Sequence, residues 1–393
     1  MKKLTILLVF VLISAFSCSV QAFSLKKGTI VLANEITFPG KFYTTELKSC
    51  SAIGTHVTLD NSRVRQEIET LIGFDWHTYH HAHSTSVNVR HKPITRPMKS
   101  LMTATHNAIG NNNQKNIDLA IEFLVEIAKT NTLYDSIGRL EVSEKPNCND
   151  DWGTSKACWY HEYEFAREVF ANYMIAAIWL KNEITNPQDV IIVHNYIDDM
   201  YTKFVKQDRF QDESGIYAFA NGGIGRLLYA SWTNDKELAA LEFNQRFMEF
   251  EKHIFDDGYI DNNSFRGNKG QWYHSYGLNI ILGYVYIAEL WGVNIPTDLQ
   301  AKLVKASKLV NLAITDEEKF YSRPYPNGRA KGQLPENDTL NMFGPAYTHP
   351  EALSIEALMQ LVTGITMEYD AIYTSRRRDG IDLLIGFNAN CIK

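Results

Sequence analysis

The sequence predicts an all-α fold: an (α/α) toroid, or incomplete barrel, of antiparallel helix pairs in a single domain. Three observations predict it. Apolar residues recur at helical spacing in one segment after another from about residue 95. The connections between these segments are short and carry Asn, Asp, Gly and Pro. No pair of alternating strands interrupts the series. A superhelical solenoid would also close such a chain, but it expects a repeat of fixed period and none is present.

The elements follow in order. Met1-Lys2-Lys3, the apolar run Leu4 to Phe16 and the small-residue approach to Val20-Gln21-Ala22 read as a secretory signal peptide over residues 1–22. The run is too short to span a bilayer comfortably. Cys18 raises a lipoprotein reading, against which Ala15-Phe16-Ser17 is a poor lipidation box. The expectation is a periplasmic or secreted monomer over residues 23–393, off the membrane once the leader is removed. Four cysteines remain: Cys50, Cys148, Cys158 and Cys391. An even number in an exported chain implies two disulfides, with three pairings open. Cys148 with Cys158 is the local pair, which leaves Cys50 with Cys391.

Residues 23–70 are mixed, with Gly28 to Ala33 reading as a short strand. The polar stretch 74–92 lacks helical period and reads as a loop. Helices are then predicted over Ile117–Lys129, Phe165–Leu180, Asp189–Val205 (started by Asn186-Pro187), Gly223–Trp232, Glu237–Ile254, Trp272–Trp291, Thr297–Ala313 and Pro350–Leu361. In the first of these, Ile117, Ala120, Ile121, Leu124 and Ala128 form one stripe, with Glu122 and Glu126 off it.

A formal net charge of −6 argues against nucleic acid as a partner. A polyanion remains a possible substrate, because it needs only a local cationic cleft. The 20 Tyr and 7 Trp suit a carbohydrate cleft and equally a helix-bundle core. Asn221 to Gly225 lacks the Lys and the preceding strand of a phosphate loop. His77, His80, His81 and His83 are dense, but a zinc site needs ligands on a rigid frame. No calcium-loop pattern occurs. The expectation is no metal and no cofactor.

Chemistry concentrates in Asp256-Asp257-Gly258 through Arg266, Lys269, Trp272, Tyr273, His274 and Tyr276. A helix ends near Phe255, a long polar loop follows, and an apolar helix opens near Trp272. Tyr273 and Tyr276 are three apart and share a face, so the helix mouth is expected to present two phenols and an imidazole. Each residue also has a plain reading. The tyrosines can be core residues, Arg266 a solvated charge, His274 a supporting residue and Asn221 a helix cap.

This segment resembles the alginate lyases of polysaccharide lyase family 5 and their wider superfamily. There a loop with Asp-Gly and basic residues leads into Tyr-His-x-Tyr at a helix head. The resemblance covers roughly residues 95–360 and is strong only in this segment. It implies that an Arg seven residues before a Tyr binds the substrate carboxylate while the Tyr serves as acid and base. Arg266 and Tyr273 have that spacing, as do Lys269 and Tyr276. It also implies a role for Asn221, which matches the second Asn of the family's Asn-Asn-His motif, while Gly222 stands at the catalytic His. A lid near the N-terminus is implied too, placing Tyr79, His80 and His81 against the polymer. Apart from the resemblance, Arg323 and Arg329 lie in a Pro/Gly-rich loop and have two readings, contact with further uronates or plain solvation.

The implied reaction is β-elimination on a uronic-acid polymer, with alginate the first substrate and a glucuronan-like polymer the second. Taking the C5 proton drives charge onto the adjacent carboxylate, so the barrier falls only if that charge is neutralised. Arg266 offers a planar fork of donors, and Asn221 a neutral one. A phenol, with an ordinary pKa near about 10, serves as a base only beside a cation. The departing O4 then takes a proton from Tyr273 or His274. With Gly222 in place of the His, three readings stay open: Tyr273 does both jobs, a His arrives from elsewhere (His80, His81 or His194), or the protein binds sugar without cutting it. The rival enzyme class is an (α/α)-barrel glycoside hydrolase using paired carboxylates from Asp256, Asp257 and Glu213.

Overall fold

A computed structural model describes residues 30–38, 61–72, 97–98, 100–105, 108–109, 114–132, 134, 159–206, 216–261, 263–267, 270–324, 355–368, 381–382 and 387–388. The leader, the four remaining cysteines, the 74–92 loop with Tyr79, His80 and His81, and Glu213, Lys269 and Arg329 lie outside the described residues.

The architecture is helical, as predicted. Helices run over Asn61–Ile72 (α1), Gln114–Lys129 (α2), Trp159–Leu180 (α3), Pro187–Met200 (α4), Ile216–Thr233 (α5), Lys236–His253 (α6), Gly270–Leu290 (α7), Thr297–Thr315 (α8), Glu317–Tyr321 (α9) and Ile355–Leu358 (α10). Wide π turns, Tyr201–Val205 and Met359–Thr363, extend α4 and α10. A two-residue antiparallel ladder, Ile381–Asp382 with Phe387–Asn388, was not anticipated.

Helix starts follow local chemistry. Asn186 Oδ1 accepts from the Gln188 N–H at 3.0 Å, with Pro187 as the first helical residue. Asp235 caps α6 through the Leu238 N–H at 2.9 Å, and Asp316 caps α9 through Lys319 at 3.1 Å. Only Asn234 and Asp235 separate α5 from α6, so the two form an antiparallel hairpin. Helix α3 packs on α5, α5 on α6 and α7, α2 on α4, and α7 on α8 and α10.

Two expectations are corrected. The predicted Gly223 start of α5 is too late: the helix opens at Ile216, so Asn221-Gly222-Gly223 lie inside it, not at its cap. Flanking apolar residues carry the helix across the paired glycines, overriding their weak propensity. The described end of the Gly28–Ala33 strand has no strand partner. Instead the Val31 N–H donates to Asn244 Oδ1, and its carbonyl accepts from Asn244 Nδ2, both at 2.9 Å. A side-chain amide of α6 thus satisfies both backbone groups.

Helix α7 is the centre of the fold. It is apolar on every side, and such a helix is buried all round. Between Gly270 and Ala288 only Trp272 and Tyr273 escape full burial. Near its other end, Tyr284 donates to Glu242 Oε1 at 2.6 Å. Glu242 also accepts from Arg226 Nε at 2.5 Å and Arg246 Nε at 2.6 Å, and all four residues are buried. Burial pushes the Glu242 carboxyl up. The two guanidiniums, with hydrogen bonds from Arg226 and Tyr284, outweigh it and hold the carboxyl below its usual range. Among the described residues no helix is long and apolar enough to cross a membrane.

Candidate active site

The loop between α6 and α7 is folded by its own backbone before any site chemistry appears. The Phe255 N–H donates to the Tyr259 carbonyl and the Asp261 N–H to the His253 carbonyl, both at 2.8 Å, closing a narrow hairpin. Gly258 turns it with φ +95°, and a Cβ there would sit 2.6 Å from the Ala306 nitrogen. The chain then curls so that Ser264 N–H donates to Ile260 O at 3.0 Å. Gly270, which opens α7, also excludes a side chain: its Cβ would lie 2.6 Å from the Ser264 carbonyl oxygen.

A small core under the loop, separate from the main one, holds these turns. It comprises Tyr259, Phe265, Leu309, Ala313 and Phe320. Tyr259 stacks on Phe265 at 5.7 Å and donates its hydroxyl to the Phe320 carbonyl at 2.8 Å. Phe265 is thereby buried while its neighbour Arg266 faces solvent.

Arg266 meets Tyr273 as the seven-residue spacing suggests. Its Cζ lies 4.1 Å from the centre of the Tyr273 ring, a cation–π stack. Among the described residues no carboxylate pairs with this guanidinium. Asn263 Nδ2 donates to the Tyr273 carbonyl at 3.0 Å and fixes the base of that residue. Trp272 sets its edge to Tyr273, with ring centres 4.5 Å apart at 89°.

The helix mouth differs from the expected two phenols and an imidazole. Tyr276 lies flat against Trp272, 5.0 Å away at 11°, and is 7% exposed. Stacking turns that phenol into support for the indole, so the half-exposed rings are Trp272 and Tyr273. Sequence reasoning treated Trp272 only as a helix start. The i, i+4 placement of Trp272 and Tyr276 was the signal available.

His274 is also corrected. It is fully buried, with Nε2 at 2.9 Å from the Ala306 carbonyl and Nδ1 at 2.8 Å from Ser264 Oγ. A carbonyl only accepts, so Nε2 carries the hydrogen and Nδ1 accepts from the serine. Burial pushes the ring down to about 4, partly opposed by the Ala306 carbonyl. Both nitrogens are committed, which leaves none for a departing sugar oxygen.

Arg323 does not stand open to a uronate. It pairs with Asp257 through Nε at 2.5 Å and Nη2 at 3.2 Å, and lies 4.9 Å from the ring centres of Phe255, Tyr259 and Phe265. It covers the small core instead. His194 accepts from Trp232 Nε1 at 3.0 Å and faces Asp198 at 3.3 Å. Asn221 sits in α5, and its side chain is outside the described residues.

No protein-family model matches the chain, and no curated protein matches it. Among solved structures the chain is similar to alginate lyase A1-III from Sphingomonas species A1. The match has a TM-score of 0.58 at 11% identity and covers 93% of this chain and 99% of that one. At that identity the likeness shows the fold, which is the all-α helical toroid expected from the sequence.

Proposed function

We propose that this protein is an exported polysaccharide lyase that cleaves a uronic-acid polymer by β-elimination, with alginate the first candidate substrate. The observation that carries this reading is the stack of Arg266 on Tyr273 at the opening in an otherwise buried helix. The similarity of the fold to an alginate lyase supports it.

In this reading the uronate carboxylate docks on the Arg266 fork, and Asn221 adds a neutral donor from α5. Tyr273, beside the guanidinium, takes the C5 proton. The electron pair forms the C4–C5 double bond, the C4–O4 bond breaks, and the same phenol returns a proton to O4. Charge that develops on the carboxylate is met by a cation already in place. Trp272 supplies a flat apolar wall for a sugar ring.

Two of the three acids named for a hydrolase, Asp256 and Asp257, are paired with cations. Asp257 is tied to Arg323, and Asp256 is 97% exposed and paired with Lys302 at 3.4 Å.

The test is incubation with a panel of uronate polymers while following the ultraviolet band of the unsaturated product. Growth of the band is expected. New reducing ends without it would mean hydrolysis, and binding with neither would mean a sugar-binding protein. Tyr273→Phe should lower kcat by about 10³-fold with polymer affinity unchanged. Full turnover in that variant removes Tyr273 from the reaction.

A further inference from the structure

We propose that His274 is a positioning residue: locked as the Nε2–H tautomer, it ties the Arg266 loop to α8 and so holds the guanidinium over Tyr273. The inference rests on the lyase reading for its kinetic consequence, but not for its geometry.

The connection is a directed chain of hydrogen bonds. The Ile260 N–H donates to Ser264 Oγ at 2.7 Å, the Ser264 hydroxyl donates to His274 Nδ1 at 2.8 Å, and His274 Nε2–H donates to the Ala306 carbonyl at 2.9 Å. Each hydrogen has one place to go, because the first donor is an amide and the last acceptor a carbonyl. Ser264 is 4% exposed and His274 fully buried, so water does not substitute along the path.

Ser264 stands two residues before Arg266. Phe265, between them, is anchored in the small core against Tyr259. The backbone that leads into Arg266 is therefore fixed at two successive residues, by the serine–histidine bond and then by an aromatic ring. Asn263 holds the facing residue, through the Tyr273 carbonyl. Guanidinium and phenol are thus referred to the same helical turn by neighbouring side chains. A displacement of about 1 Å at a charge-neutralising group costs on the order of 10²-fold in rate.

The experiment compares His274→Leu, His274→Gln and Ser264→Ala in the full chain. Glutamine can still donate to Ala306 and accept from Ser264, whereas leucine can do neither. With ¹³Cζ-labelled tyrosine, the Tyr273 resonance is identified by its loss in Tyr273→Phe, and its position without the stack is read from Arg266→Ala. His274→Leu should move the resonance to the Arg266→Ala position, and His274→Gln should leave it near wild type. On a cleavable uronate polymer, His274→Leu should lose about 10²-fold in kcat with KM within about twofold, and His274→Gln should recover most of it. Where His274→Leu does not fold, Ser264→Ala carries the test, with the same shift in the resonance. An unmoved Tyr273 resonance in the folded variant overturns the proposal. A wild-type protein that cuts no uronate polymer overturns the lyase reading alone, and the resonance still decides the role of His274.

Discussion

Towards each end of helix α7 a tyrosine meets arginine side chains, from the preceding loop at Tyr273 and from α5 and α6 at Tyr284, and the two ends put the pairing to opposite uses. At Tyr284 the arginines Arg226 and Arg246 come with a carboxylate, and Glu242 takes both charges and the phenol hydrogen. Burial, then the charge of Glu242, drives the Tyr284 phenol well above its usual range, so it stays a neutral donor. At Tyr273 there is one guanidinium, stacked on the ring, with no carboxylate paired to it among the described residues. What separates a structural phenol from a candidate reactive one is the third partner and the access to solvent, not the residue types.

That contrast can be broken from either end. The largest effect is expected at Glu242→Gln, which removes the carboxylate that two buried guanidiniums share. It should cost about 3–5 kcal/mol in denaturant unfolding, and a cost under about 1 kcal/mol would show that the interior cluster is not charge-balanced by this residue.

A smaller effect concerns His274. Its ordinary value of 6.5 falls to about 4 in the folded protein through burial. Below about pH 6.5 the unfolded chain takes up a proton that the folded chain refuses, so stability falls as pH drops from 6.5 towards 4 and levels off below that. The contribution is about 3 kcal/mol across that window. It is read as the difference in pH slope between wild type and His274→Gln, and identical slopes would contradict a neutral buried ring.

The smallest is Tyr284→Phe, expected to lose about 2 kcal/mol of stability through its bond to a charged partner. Turnover should stay at the wild-type level, the mirror of Tyr273→Phe. If both variants lost turnover and kept stability, the two ends of the helix would not be distinct.

Much of the fold was legible because burial is written in periodic patterns. The Ile117–Ala128 stripe and the Asn186-Pro187 start stand as read. The start of α5 is earlier than read because Asn221, a preferred cap by residue type, lies inside a helix that apolar residues carry back to Ile216. The Arg266–Tyr273 partnership was implied by the family resemblance, whose seven-residue spacing Lys269 and Tyr276 share. The stack of Tyr276 on Trp272 was also within reach, as an i, i+4 pair on one helix. The fates of His274 and Arg323 were not, because each is decided by a contact to a residue distant in the chain, Ala306 and Asp257 respectively. Periodicity cannot report such meetings.

The glycines at 258 and 270 bring bare backbone against bare backbone, with no side chain between to act as a cushion. A surface joined in this way cannot be retuned by small steps, because the first added methyl already collides. Change at this end of α7 is therefore channelled away from the hairpin and towards the half-exposed Trp272, where a ring can be enlarged, trimmed or lost without disturbing the frame beneath.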